Sequence, residues 1–348
     1  MTDSYITTLS QVISKITLYV PYFTITLGTI GALCNILTFS AKKLRQNPCA
    51  FYFLCSSVFD ILTLSICGTL RLMVDHYQYA LNQTAIFCKI RVYLTGVFPG
   101  ISTACLVLAT IDRCWLTSSL ARWRRWSKIT IAYRLVIVAI IVWLISLAHM
   151  LVFYDFYTIN GVPNTCSSQP GVYSTFISGF LVIWLTIIPY ICMFIASMMT
   201  FSHIRASRER VMAFQQQQQQ QQQQEAHRRV DRHLILIMFI QVILSVILLS
   251  LRTVVIAYTY LTRDVVKDSR SRAIESFFSQ FGTVVYYINY AKSFYLCTLA
   301  SPLFRQVFWN QLNQFKNYIT HSTRENAVVP ISITAATKKR SNQDVLND

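Results

Sequence analysis

Seven stretches of this chain are each long and apolar enough to cross a bilayer, and that requirement limits the fold more than any single motif. A helix needs about 20 mostly apolar residues to cross a hydrocarbon core about 30 Å thick. The stretches run Leu18 to Ala41, Ala50 to Val74, Ile90 to Cys114, Ile129 to Phe153, Val172 to Met199, His233 to Tyr260 and Ser276 to Ala300. Inside hydrocarbon, every backbone N–H and C=O needs a partner from the protein itself, which leaves helices or closed barrels. Runs of this length predict helices. The expected fold is an all-α membrane protein, a seven-transmembrane helix bundle.

Composition supports that solvent: 54% of residues are hydrophobic and 13% charged, more apolar surface than one soluble core of this size hides. A net charge of +17 raises nucleic acid as a partner. The basic residues, however, sit in short loops between spans and form no continuous face, so no nucleic-acid binding is expected. Their distribution sets an orientation instead. Sixteen lysines and arginines fall after spans one, three and five or in the tail up to Glu325, against seven on the opposite side. Cytoplasmic loops keep such an excess. The amino terminus is therefore expected outside and the carboxyl terminus in the cytosol of a multi-pass plasma-membrane protein. Residues 1 to 17 are polar and show no cleavable leader pattern, so the first span is expected to serve as its own insertion signal.

The chain divides into an extracellular segment 1–17, a bundle 18–300, an amphipathic cytosolic helix 301–318 and a disordered cytosolic tail 319–348. In the amphipathic helix, Phe304, Val307, Phe308, Leu312 and Phe315 recur at helical spacing, as in a helix lying on the inner leaflet. The third cytosolic loop, 200–232, contains ten consecutive glutamines, Gln215 to Gln224. They bury too little apolar surface to order themselves, which predicts a flexible spacer. On the outer face, Asn82-Gln83-Thr84 is either a used N-glycosylation acceptor or a chance triplet near the bilayer. Of the ten cysteines, only Cys88 and Cys166 fall outside. They are the pair expected to form a disulfide in an oxidising compartment.

Several residues then fall at telling spacings. Span one carries Gly31-Ala32-Leu33-Cys34-Asn35 and span two carries Asp60. Span three begins at Cys88 and ends at Asp112-Arg113-Cys114, while Trp143 lies in span four and Pro189 in span five. In register, these resemble the rhodopsin-like G-protein-coupled receptor family from about Leu18 to Phe315. The departures are specific. Span six has no proline or tryptophan from Gln241 to Tyr260, span seven reads Ser293-Phe294-Tyr295-Leu296-Cys297 where Asn-Pro-x-x-Tyr is usual, and Ser197 stands where many members have tyrosine. The run from Asn289 to Cys297, followed by Phe304-Arg305, looks most like divergent invertebrate receptors near the FMRFamide-type peptide receptors.

The resemblance implies roles for the intramembrane polar residues, each of which costs roughly 2.5 to 3.5 kcal/mol at mid-bilayer if charged. Asp60 is expected to gather Asn35, Asn289 and Ser293, either around a sodium ion or as a hydrogen-bonded packing cluster without one. Arg113, beside Asp112, is expected to pair with Asp231 at the foot of helix six in the resting state; the alternative leaves Asp231 solvated among arginines. Arg252 and Lys292 either find partners or extend their stems toward an interface. Thr95 in place of an amine-binding aspartate argues against a biogenic amine, and Tyr287 in place of the retinal lysine argues against a bound chromophore. Arg71, Thr95, Trp184, Arg252, Glu275 and Gln280, with Tyr154, Asp155 and Tyr258, make the candidate ligand pocket, although aromatics at helix ends also form membrane belts.

The resulting expectation is a non-enzymatic receptor that binds an extracellular ligand, a short neuropeptide by resemblance, and activates a heterotrimeric G protein by moving helix six outward. Ser322, Thr323, Ser332, Thr334, Thr337 and Ser341 are candidate phosphorylation sites for arrestin. The alternative class is a membrane transporter or channel. It calls for two related halves and Gly- or Pro-broken helices, whereas the chain has an odd number of spans, nine glycines and no internal repeat.

Overall fold

The computed structural model describes residues 2–77, 84–159, 162–212, 221–262 and 265–328. Its elements are α1 (Thr2–Phe39), α2 (Pro48–Leu62, continued through a π-helical turn Thr63–Gly68 into Thr69–His76), α3 (Ala85–Thr117), α4 (Ile129–Leu147, with a last turn Met150–Phe153) and the strands β1 (Tyr154–Ile159) and β2 (Val162–Ser168). There follow α5 (Val172–Phe180, a π-helical segment Leu181–Ile187, then Ile188–Met212), α6 (Gln221–Leu261), α7 (Ser269–Ala291 and Ser293–Ala300) and α8 (Pro302–Val328). Asn82 and residues 215–220 lie outside the described residues.

The seven-helix bundle is present. Helix α3 runs through its middle against α2, α4, α5 and α6, and α1 closes the ring by packing on both α2 and α7. Six of the helices are long and apolar enough to cross a membrane on composition alone. The seventh, α7, carries Glu275, Gln280, Asn289 and Lys292, of which Asn289 and Lys292 are buried in the bundle, where protein and not lipid is the neighbour. Helix α4 illustrates how one apolar sequence is sorted by packing. Ile137, Ile141 and Ile145 recur every four residues on an exposed stripe suited to lipid, while Ala132, Val136, Trp143 and Leu147 are buried against the bundle.

Helix starts follow local chemistry. Asn47 accepts a hydrogen bond from the Cys49 N–H, 3.0 Å, with Pro48 at the first helical position of α2. Asp268 caps α7 by accepting from the Ser271 N–H, 3.2 Å, and these contacts hold its exposed carboxyl below the usual aspartate range. Helix α8 lies along α1 and α7, with Phe304 against Phe39 and Phe294 and with Phe308 against Phe294. Arg305 donates to the last carbonyls of α7, Thr298 at 2.8 Å and Leu299 at 3.3 Å.

Three expectations need correction. Helix α1 is continuous from Thr2, so it begins well before Leu18 and takes in most of the segment 1–17 set apart from the bundle. Thr2 to Lys15 contains no proline or glycine, and the extension gains tertiary support from Thr17 bonded to His76 at 3.1 Å and from Arg270 stacked over the Tyr5 ring. Helix α8 continues past residue 318 to Val328, and α6 starts inside the glutamine run at Gln221. The loop between α4 and α5 forms an antiparallel hairpin pairing Phe156 with Cys166. Its sequence signal was present: β-branched and aromatic residues flank Asn160-Gly161, a dipeptide suited to tight hairpin turns.

Candidate functional site

A cavity of about 310 Å³ opens between the outer halves of the helices. Its floor and walls come from α3 (Arg91, Thr95, Gly100), α6 (Arg252) and α7 (Thr283, Tyr286, Tyr287, Tyr290), and its roof includes Tyr154 and Cys166 of the hairpin. The roof is tied down twice. Cys88 and Cys166 form the expected disulfide, with Cα atoms 5.8 Å apart. One residue further along α3, Lys89 pairs with Asp155 at 3.3 Å. The Phe156 N–H and Lys89 together hold the exposed Asp155 carboxyl below its usual range.

Both π-helical turns face this space, contributing Cys67 from α2 and Leu181, Val182, Leu185 and Thr186 from α5. The wider turn in α5 has a local cause. Pro189 lacks an N–H, and its ring would collide with the Leu185 carbonyl in a regular helix.

The electrostatics of the cavity are one-sided. Among the described residues, Arg71, Arg91 and Arg252 line it, and no aspartate or glutamate does. Arg252 donates to Thr283 at 2.8 Å and its guanidinium lies 4.7 Å from the Tyr286 ring centre. Arg71 bonds Asp75 one turn away at 2.7 Å, on the more exposed rim. The Nε of Arg91 is buried without a hydrogen-bond partner. Such a set suits a planar anion, which arginine forks bind through paired N–H donors.

Of the nine predicted pocket residues, Arg71, Thr95, Tyr154 and Arg252 line the cavity; Asp155, Trp184, Tyr258, Glu275 and Gln280 do not. Trp184 packs between Trp143 and Phe180, because the π-turn and α5 direct it toward α4. Glu275 accepts from Lys267 at 2.6 Å on the outer rim, with Lys267 also over the Tyr258 ring. Burial raises the glutamate's pKa, but its bonds to Lys267 and Thr259 outweigh that and leave the carboxyl below its ordinary value. Gln280 lines a separate recess between α1, α2 and α7. Sequence reasoning passed over Arg91 and the inward face of the Tyr286-Tyr287-Ile288-Asn289-Tyr290 run. The signal for the latter was the four-residue spacing of Tyr286 and Tyr290.

The polar centre also differs from expectation. Asp60 is buried and accepts from Ser102 of α3 at 2.5 Å, and Ser102 in turn bonds Ser56 at 2.9 Å. Asn289 and Ser293 make no hydrogen bond to Asp60, and both polar atoms of the buried Asn35 amide lack a hydrogen-bond partner. Asn289 instead holds Lys292, which does not extend to an interface. Its ammonium is buried and donates to Ser245 at 2.8 Å, to the Asn289 carbonyl at 2.8 Å and to the Asn289 side-chain oxygen.

At the C-terminal end of α3, Arg113 is almost fully buried. It donates to Asp112 from Nε at 3.1 Å and from Nη2 at 2.6 Å, and to Asn47 at 2.9 Å. Asp112 also accepts from Ser127, 2.7 Å, in the turn before α4. Asp231 is on α6, but its side chain falls outside the described residues.

The family profile described as "7 transmembrane receptor (rhodopsin family)" matches residues 31–291. No curated protein matches the chain. The profile starts at the Gly31 to Asn35 run and ends beside Lys292, so it spans the outer cavity, the polar centre and the Arg113 site.

Proposed function

Because the chain belongs to the rhodopsin family of seven-transmembrane receptors, we propose that it binds a short acidic peptide from outside the cell and passes that binding to a heterotrimeric G protein. Family membership also sets aside the transporter or channel alternative and any enzymatic role. The observation carrying the ligand reading is the cavity under the disulfide-tied hairpin, lined among the described residues by three arginines and no acid. Ligand pockets span about 300 to 1,000 Å³, so a cavity of about 310 Å³ holds the tip of a peptide with its carboxylate among Arg71, Arg91 and Arg252. The likeness of span seven to FMRFamide-type receptors supports a peptide ligand only; those peptides are basic and amidated, so the acid rests on the three arginines alone. A basic amine or basic peptide tip meets like charge here.

The coupling route runs through α6. Arg252 binds α7 at its outer half, while near its cytosolic end Met238 lies against Cys49 of α2, sulfur to sulfur 3.8 Å. A ligand that draws Arg252 away from Thr283 favours a different seating of α6, and only such a differential contact shifts a two-state equilibrium. Outward movement of the cytosolic end then frees Arg113 for the G protein. Tail hydroxyls such as Ser322 and Thr323 are offered to arrestin after phosphorylation.

The test is a library of short peptides screened on the full-length receptor with G-protein activation as the readout. Peptides with an acidic side chain or free carboxyl terminus activate, and Arg91→Gln or Arg252→Gln lowers their potency about 10- to 100-fold, as expected of charge-assisted hydrogen bonds worth about 1.5–3 kcal/mol. Replacing the peptide acid by its amide weakens wild type and leaves nothing further for Arg252→Gln to remove. Equal activation by peptides without an acid defeats the ligand reading.

A further inference from the structure

Family members often hold a sodium ion at the aspartate matching Asp60, and the residues in this chain do not fit one. Asn289, which would supply a side-chain oxygen to a cation, gives that oxygen to the Lys292 ammonium. All three ammonium N–H groups are used, on Ser245, the Asn289 carbonyl and the Asn289 side chain. The Tyr190 hydroxyl faces the same Ser245 and Asn289. Ser102 already occupies the Asp60 carboxylate from the α3 side, and Ser293 does not reach it.

Charge balance points the same way. Among the described residues, the buried charged side chains are Asp60, Asp112, Arg113 and Lys292. Asp112 and Arg113 form one ion pair. The remaining two, Asp60 and Lys292, carry opposite charges inside the bundle without a direct ion pair, every ammonium N–H being given to Ser245 or Asn289. Together they leave the interior neutral, and a sodium ion added beside them would leave one buried positive charge without a partner.

We propose that the Lys292 ammonium, tethered at the break in α7, is the resident counter-ion of Asp60 and makes this bundle insensitive to sodium. A free ion can leave when helices rearrange. A tethered one stays, so the polar centre remains neutral in every seating of α6 and α7.

The experiment follows thermal unfolding of the purified full-length receptor in lipid nanodiscs by intrinsic tryptophan fluorescence. Exchanging potassium chloride for sodium chloride at constant ionic strength is expected to leave Tm unchanged; a saturable, sodium-specific rise in Tm overturns the proposal. In the second arm, Asp60→Asn and Lys292→Met each lower Tm, and the double variant regains at least half of what Asp60→Asn loses, because neither charge is then stranded. A double variant no more stable than Asp60→Asn overturns the proposal as well. Should Asp60→Asn fail to fold while the double variant folds, the coupling is shown in stronger form. If none of the variants folds, the wild-type sodium titration decides alone.

Discussion

Arg113 shows how much depends on one buried side chain. Its guanidinium is nearly inaccessible, and Asp112, Asn47 and Ser127 form a chain of hydrogen bonds around it that links α2, α3 and the turn before α4. Removing one partner of a buried ion pair costs about 3–5 kcal/mol, because the other charge is left without compensation. Asp112→Asn is therefore expected to lower the Tm of the purified receptor and to raise basal G-protein activation at matched surface expression. Basal signalling equal to wild type would detach Arg113 from the resting state. The reversal Asp231→Arg tests the separate idea that α6 supplies a second restraint, with raised basal activity as the expected outcome. The family resemblance singled out Asp112 and Arg113 at this helix end but named Asp231 as the partner of Arg113; the direct Asp112–Arg113 pair came from the structure. Asn47 and Ser127 were not readable in the sequence, since nothing in a polar loop residue announces which helix end it will meet.

Among the helices, close approach decides geometry. A Cβ on Gly100 of α3 would sit 2.3 Å from the Trp143 ring of α4, well inside van der Waals contact. Gly100→Ala is expected to reduce surface expression severely, and shrinking the partner in Gly100→Ala/Trp143→Leu to recover part of it, both read by surface immunolabelling. No recovery in the double variant would mean that the α3–α4 contact is not what the glycine serves. The outer ends of α6 and α7 are joined more loosely, through Lys267 and Glu275. Because the Glu275 carboxyl is held below its ordinary value of 4.5 in the folded protein, the pair contributes stability above that value and loses it as pH falls through the lowered pKa. Thermal unfolding followed from pH 7 to well below pH 4.5 should thus show a fall in Tm, setting in near 4.5 and continuing below it, that is shallower in Glu275→Gln. Identical slopes would exclude the pair as a contributor. Helix positions were legible here because length alone identifies them. The hairpin is invisible to that criterion, since a span needs about 20 residues and its strands have six and seven.

For the molecule as a whole, the asymmetry of lysine and arginine predicts that an epitope added before Thr2 labels on intact cells, and one added after Asp348 labels only after permeabilisation. The reverse pattern would place the arginine-lined cavity on the cytosolic side and end the proposal of an outside ligand. The number of spans and the cysteine pair could be read from the chain in linear form, because each follows from a local or counting property: apolar length, and which two thiols the charge count places on one side. The membership of the cavity and of the polar centre could not. In a bundle, the face a residue presents depends on the rotation and tilt of its helix, and apolar runs in lipid carry little periodicity to reveal either. Packing alone turned Trp184 to α4, sent Glu275 to the rim, brought Ser102 to Asp60, and folded Lys292 inward onto Asn289. A charged side chain in low dielectric goes where partners are, and those partners come from helices distant in sequence.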